Sequence, residues 1–550
     1  MAIFGTRKRK KRKKKKQHHA VKVKHAPKPK PKPKPKPKPQ PVSVPQPPTP
    51  APAPPTTPVT NPTPTAPSQP TAPAPTASVA ATPRERLFLN RFGTGFTQSA
   101  LAALRATGTP EAWFEAQLNP SSVTESAKAA QVDEWFSHLW RSAAEKNATN
   151  AAKTKAAWEY GHDLGNWTIL RRIYSERSVL ERMTDFWSTN LHIPVGHDRA
   201  WVFRFDYDTT IRANALGRFE DLLVACALHP AMRFYLDNWK AVKNKPNENQ
   251  GRELLELHTV GRAAGYTEPM VKSSAVILSG FTVDSSTFVP SYNPAAHTTG
   301  PVQVLDFQHA NAAADGQAVT VAYLKYLANH PATAANLSRK LATYFVSDEP
   351  SQRLVDKLAA VYLSSGTDIK AVLRTLATDE EFVGSEGAKV RTPVDDLVAT
   401  ARVLAVDVQP PAGDDSYTRQ ANWTHGGAAL FSWPRPDGPP VTGRMWSSAS
   451  RVFASYVMHG NHAGGWWPHG AAYKTGAAWL PSASLRFDAY VAHLCRTFLG
   501  RNLDARLLSV ACQATGAKAE TIVTSKHAVA GWMFPRLATS LLDTPDHMTT

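Results

Sequence analysis

Residues 176–191, ERSVLERMTDFWSTNL, and 211–226, IRANALGRFEDLLVAC, decide the fold class. In the first, Val179, Leu180, Met183, Phe186 and Trp187 recur at intervals of three and four; in the second, Leu216, Phe219, Leu222, Leu223 and Cys226 do the same. That is the period of a helix with one apolar face, whereas a half-buried strand alternates every second residue. Both segments are read as amphipathic helices. Similar spacing runs through 334–346, 393–405, 447–458 and 485–498, and strict alternation is scarce. Thr109-Pro110, His229-Pro230 and His330-Pro331 each place a capping residue before a first-turn proline. The expected class is mainly α: a large multi-helical body with long ordered loops rich in Gly, Pro and Trp. Two stretches break the helical pattern, 285–318 and about 408–481, and are expected to form ordered loops or small hairpins. No fixed repeat of 30–50 residues is apparent.

Outward from this body the composition changes sharply. The chain has 550 residues with a formal net charge of +20, but residues 1–40 carry 18 Lys/Arg and no acid, so the remainder is near neutral. Residues 27–83 hold 23 of the 45 prolines and hardly any large apolar side chains, too little to offset the entropy of ordering them. Residues 1–83 are therefore expected to be a disordered, basic, proline-rich tail, and 84–550 the helical body, with two lobes able to meet near 400–410. Within the tail, Arg7, Lys8, Arg9, Lys10, Lys11, Arg12, Lys13, Lys14, Lys15 and Lys16 form a dense cation block. Such a block attracts polyanions without reading their sequence. The Lys-Pro repeat that follows favours polyproline II and acts as a stiff spacer. Residues 7–38 are thus the expected contact to an anionic polymer or surface: a wall polymer, a nucleic acid or an anionic lipid.

No run of about 18 apolar residues exists, so no spanning helix is expected. The basic start lacks the apolar segment of a secretory signal, because Gln17, His18 and His19 follow the cations; a misplaced start codon would reopen export. Cys226, Cys495 and Cys512 are too few and too scattered for a disulfide framework or a Cys-x-x-Cys site, and read as buried small hydrophobes.

ERMTDFW from Glu181, FEDLLVACALHPAMRFYLDN from Phe219 and NENQGRELLELHTVGRAAGYTE from Asn247 together resemble a bacterial family catalogued as domain of unknown function 1800. Further segments do so in the same order: SGFTVD from Ser279, HPATAANLSRKLATYFVSDEP from His330, VRTPVDDLVATARVL from Val390, and LFSWPRPDGPP from Leu430, followed by MWSS. The resemblance implies a mostly helical bacterial protein, often exported or envelope-associated, and implies no established activity. Two departures stand out. Where such proteins carry His-Asn-His-Phe, this chain has Ser188, Thr189, Asn190 and Leu191; where they carry His-Asp-x-Gly-Pro-Lys, it has His297, Thr298, Thr299, Gly300, Pro301 and Val302.

The densest polar feature of the body follows Pro246. On an ideal helix, Glu248, Asn249, Arg252, Glu253 and Glu256 share one face while Leu254, Leu257 and His258 fall opposite. The structural reading is a capping box of Asn247 with Gln250 and i,i+4 pairs Glu248–Arg252 and Arg252–Glu256. The functional reading joins Glu253 and Glu256 to Asp237, Glu181 or Asp185 of neighbouring helices, with Asp237, Asn249, Arg252, Glu253 and Glu256 as the candidate catalytic pocket. A metal at Glu253, Glu256, Asp237 and Glu181 is not favoured, because the Glu-x-x-His pair that usually completes such bundle sites is absent. The helix is expected to lie centrally, with Arg252 buried among these carboxylates. His459 and His462, with His469, permit two ligands on one turn, but Gly460, Gly464 and Gly465 argue for a loop. Trp433, Trp446, Trp466 and Trp467 are candidate stacking platforms, with core packing the commoner fate. Asp206 and Asp208 flank Tyr207, Asp208 being read as a helix cap.

No phosphate-binding loop, dinucleotide fingerprint, His-Glu-x-x-His or nucleophile elbow is present. The first expectation is an envelope-associated helical scaffold tethered to an anionic polymer by its tail. The alternatives are an enzyme with a carboxylate/Arg pocket acting on a carbohydrate or polymer, and a nucleic-acid-associated protein. No cofactor is specified; cytoplasmic location remains the alternative to the envelope.

Overall fold

The computed structural model describes residues 78–424 and 429–550. The cation block and the Lys-Pro spacer lie outside the described residues. Among the described residues the chain forms 25 α-helices, and its eight short strands pair antiparallel in four two-stranded sheets. The protein is mainly α. None of these helices is long and apolar enough to cross a membrane.

The body begins earlier than residue 84. Thr82 caps the helix Pro83–Arg91 in a reciprocal capping box with Glu85. Ser78 Oγ lies 2.8 Å from His493 Nδ1, the Ala81 amide donates to the Gly500 carbonyl at 2.9 Å, and Gln98 brackets the backbone of Val79. These contacts give 78–83 specific partners in the fold, although prolines dominate the sequence before them.

The expected helix at 176–191 spans Ser178–Asn190. That at 211–226 is two helices, Arg204–Asn214 and Phe219–Ala227. The break comes at Gly217, where the backbone leaves helical pairing to bond residues 367–369: Phe219 N donates to Thr367 O and Ile369 N to Gly217 O. Apolar spacing continued through the turn because Leu216 is buried as well. Asp208 is inside the first of these helices rather than at its cap, and is fully buried. His229 and His330 are N-caps, each Nδ1 accepting from the amide two residues on.

A single hydrophobic core runs through the body, from Phe88 and Phe92 to the helix Phe534–Leu542. The described residues form one compact unit, and the helix Pro393–Val403 packs against Ala157–Tyr174 and Ala449–Gly464 next to the expected meeting point of two lobes at 400–410. Cys226 and Cys495 are buried and Cys512 half-buried, all three free. Hairpins at Phe281–Tyr292 and Val302–His309 occupy most of the first non-helical stretch. The second holds a 16-residue helix, Ala449–Gly464, running six residues past the expected end at 458. Its glycines are tolerated in the last turn, and Gly465 (φ 63°) closes it as a left-handed C-cap. His459 and His462 are therefore on a helix, not a loop.

Candidate functional site

Four of the segments that carry the family resemblance, those from Glu181, Asn247, His330 and Leu430, line one crevice. The helix Pro331–Phe345 turns Leu337, Leu341 and Phe345 into the core and presents Asn336, Arg339, Lys340 and Thr343 along its other face, the i, i+3, i+4, i+7 spacing of a helical stripe. Opposite stand the end of Ser178–Asn190, with Thr189 and Asn190, and the loop from Trp433 to Met445. The cavity between them measures about 500 Å³. Glu256 and Leu257 close one side, from a π-turn at Leu254–His258 that continues the helix Glu248–Glu253.

The loop is held in place by three contacts. Gly438 (φ 71°) comes so close to the Thr189 carbonyl that a Cβ there would lie 2.2 Å from the oxygen, so only glycine fits. His192 Nε2 lies 2.8 Å from the Trp433 carbonyl and donates to it; burial pushes this imidazole down to about 4, so it is neutral. Trp446 Nε1 donates to Pro440 O at 2.8 Å. Behind the loop an inner recess of about 80 Å³, walled by Tyr344, Phe431, Trp433 and Trp446, ends on Asp185 and Arg172. Tyr344 donates to Asp185 Oδ2 at 2.6 Å and Arg172 pairs with Oδ1. Burial, opposed by Arg182 and helped by Asp185 and Asp395, holds the Tyr344 phenol well above its usual range, so it stays a donor.

The polar groups of the crevice fall into two sets. Glu256 accepts from Arg262 Nε at 2.6 Å, and Asp437 pairs with Arg435. The Lys340 ammonium has no carboxylate partner among the described residues; it donates to the Leu257 carbonyl at 2.7 Å, and burial pulls its pKa down to about 8. The Trp433 indole N–H is buried and has no acceptor among the described residues. Glu253 is half-buried, and burial together with Glu256, and more weakly Asp437, raises its pKa.

Of the five residues grouped as a candidate pocket, Glu256 lines this crevice and Glu253 stands beside it; the others lie elsewhere. Asn249 is exposed. Asp237, in a left-handed turn, pairs on the surface with Lys240 at 2.6 Å. Arg252 is not buried: its side chain is 35 % exposed and holds Glu268 bidentately, both bonds at 2.7 Å, with Glu248 at 3.6 Å. Glu181 and Asp185 do not join Glu253 and Glu256. Glu181, 1 % exposed, faces Arg212 at 2.6 Å and Arg171 at 3.6 Å, a set sharing no member with Glu253's neighbours. The helical wheel failed at its C-terminal half because i→i+5 bonding from Leu254 re-aims the side chains, sending Glu256 to Arg262 instead of Arg252. The capping box is incomplete too: Asn247 caps Asn249 N, while Gln250 Nε2 donates to Ala227 O at 2.6 Å. His258 is buried on the apolar side, as the wheel placed it.

The three C-terminal histidines do not form one site. His462 Nε2 meets the Tyr417 hydroxyl, His469 is exposed, and His459 enters a buried cluster with Asp396, Asp543 and His547. Asp206 pairs with His229. Of the tryptophans, Trp433 and Trp446 wall the recess and Trp466 is 61 % exposed. At the two departures from the family pattern, Thr189 and Asn190 line the crevice, whereas His297 is buried between Ser279 and Asn311.

Lys340, Arg339 and Asp437 were not singled out from the sequence. The polar stripe Asn336, Arg339, Lys340, Thr343 was available there as helical spacing, but which face meets a cavity is decided by the Trp433 loop, about a hundred residues on.

Residues 87–549 match the family model described as protein of unknown function (DUF1800). No curated protein and no solved structure matches the chain. The match spans nearly the whole helical body and agrees with the segments quoted above: the chain belongs to the DUF1800 family.

Proposed function

We propose that the helical body is a binding protein for an acidic carbohydrate or similar polyhydroxylated anion, taken up in the crevice, and that the basic tail holds it on an anionic polymer of the cell envelope. The observation that carries this reading is the Lys340 ammonium, on a half-buried side chain and without a carboxylate partner among the described residues, in a cavity lined by Trp433, Pro439 and Pro440. A ligand anion answers this ammonium, while aromatic and proline walls suit the apolar face of a sugar ring. Isothermal titration with uronic-acid oligosaccharides and their neutral counterparts tests it. Wild type should prefer the acidic ligands, and Lys340→Ala should lose about tenfold or more of that preference, with Lys340→Arg retaining part of it. Equal binding of acidic and neutral ligands, or no binding across the series, refutes the reading.

A second reading, catalysis at the same crevice, is favoured by Glu253, whose raised pKa beside Glu256 suits a proton donor. Here Glu253→Gln should abolish turnover of a bound polymer while leaving affinity within about twofold.

A further inference from the structure

We infer that Asp396, His459 and His547 form a buried site for one divalent transition-metal ion, with zinc the best fit. Three segments distant in sequence meet there: the helix Pro393–Val403, the helix Ala449–Gly464 and the short helix Pro545–Met548. Nε2 of His459 lies 3.0 Å and Nε2 of His547 3.4 Å from the same atom, Asp396 Oδ1, and the three candidate ligand atoms are all within 4.8 Å of one another. Zinc with bonds of about 2.0–2.1 Å in tetrahedral array separates its ligand atoms by about 3.3 Å and two imidazole centroids by about 5 Å. The two rings stand 5.4 Å apart at 79°.

The surroundings have the form of an outer shell. Nδ1 of His459 is held by Asp543 Oδ1 at 2.7 Å, which fixes the ring and leaves Nε2 to point inward. The second oxygen of Asp396 accepts from Ser455 Oγ at 2.7 Å and Arg451 Nη2 at 3.0 Å. Thr400 Oγ1, 3.2 Å from His547 Nε2, is placed to act as a fourth neighbour. Asp396 and His459 are 0 % and His547 4 % exposed, so the cluster is closed to solvent. Before any cation is added, the carboxylates of Asp396 and Asp543 are balanced by Arg451 and by Arg391, which donates to the His547 carbonyl at 2.6 Å, so these four charges sum to zero. A proton on His459 is the competing occupant: it accounts for the contacts of His459 to Asp396 and Asp543, while His547 Nε2 meets Asp396 Oδ1 at 3.4 Å and Thr400 Oγ1 at 3.2 Å. A metal ion uses all three ligands at once.

The test is elemental analysis of the full chain, made without a polyhistidine tag in metal-replete medium. About one ion per chain is expected, removed by prolonged chelation with a fall in melting temperature that zinc reverses. His547→Gln, close to the chain end and checked for folding by circular dichroism, should lose the ion; cobalt replacing it in wild type should give the visible absorption of a tetrahedral site. Wild type with less than about a tenth of an ion per chain and no thermal response to zinc overturns the proposal in favour of the proton. So does an ion that folded His547→Gln retains in full.

Discussion

Removing Arg212 and removing Arg252 should have very different consequences, although both arginines pair with glutamates on helices. Arg212 donates to Glu181 Oε1 at 2.6 Å and lies 3.8 Å from Asp208, which is fully buried. In Arg212→Ala, Glu181 keeps only Arg171 at 3.6 Å, and Asp208 has no ion partner within 4 Å among the described residues. Leaving a buried carboxylate uncompensated costs about 3–5 kcal/mol. Arg252, 35 % exposed, pairs with Glu268 at 65 % exposure, and a water-screened pair of this kind is worth about 1 kcal/mol or less. Unfolding entropy of about 2.1 cal/mol/K per residue over roughly 470 folded residues is ~1 kcal/mol/K, so the first variant should melt about 3–5 °C lower and the second within about 1 °C of wild type. Differential scanning calorimetry at matched salt reads both. Adding Glu181→Ala to Arg212→Ala should restore part of the loss, because the orphaned charge goes with it. Equal losses for the two arginine variants would refute the assignment of buried and exposed faces.

Three further outcomes follow from the charges and contacts. Heparin binding by the full chain should fall steeply with salt and vanish on deletion of residues 1–40, which carry 18 of the 20 net positive charges; retention by the truncated chain would reveal a basic surface on the body. Limited proteolysis with mass spectrometry should give a resistant fragment beginning near Ser78, and a chain starting at Arg84, lacking the Thr82 cap, should lose about 1 kcal/mol or more in urea melts. Lys340 titrates near 8 in the folded state, below its value in the unfolded chain, among Glu256, Arg339, Arg435 and Asp437. Affinity for an anionic ligand should therefore fall as pH rises through about 8. In the same step its cost to stability is relieved, since between the two pKa values the unfolded chain binds the additional proton; titration calorimetry across pH 6.5–9.5 reads the first effect, and affinity that is flat over that range removes Lys340 from the site.

The helical class, the end-loaded charge and the family were legible in the residues alone. Each depends on neighbours within a few turns: apolar spacing selects a helix face, a run of like charges needs no fold, and proline limits φ locally. The same reasoning placed His258 on the apolar side, and it brought Glu253 and Glu256 together, since they are one turn apart on a single element. What those faces meet is set by packing between elements. Arg252 finds Glu268 on another helix, Lys340 reaches the Leu257 carbonyl in a crevice that the Trp433–Met445 loop lines from the other side, and Asp396 meets His459 and His547 from segments far along the chain. One local departure also escaped the pattern: the π-turn at Leu254–His258 is set by backbone hydrogen bonds that hydrophobic spacing does not encode, and it turns Glu256 from Arg252 toward the crevice. A charged side chain's role is fixed by whether its counter-charge or water reaches it, and that is a property of packing between elements rather than of any one of them.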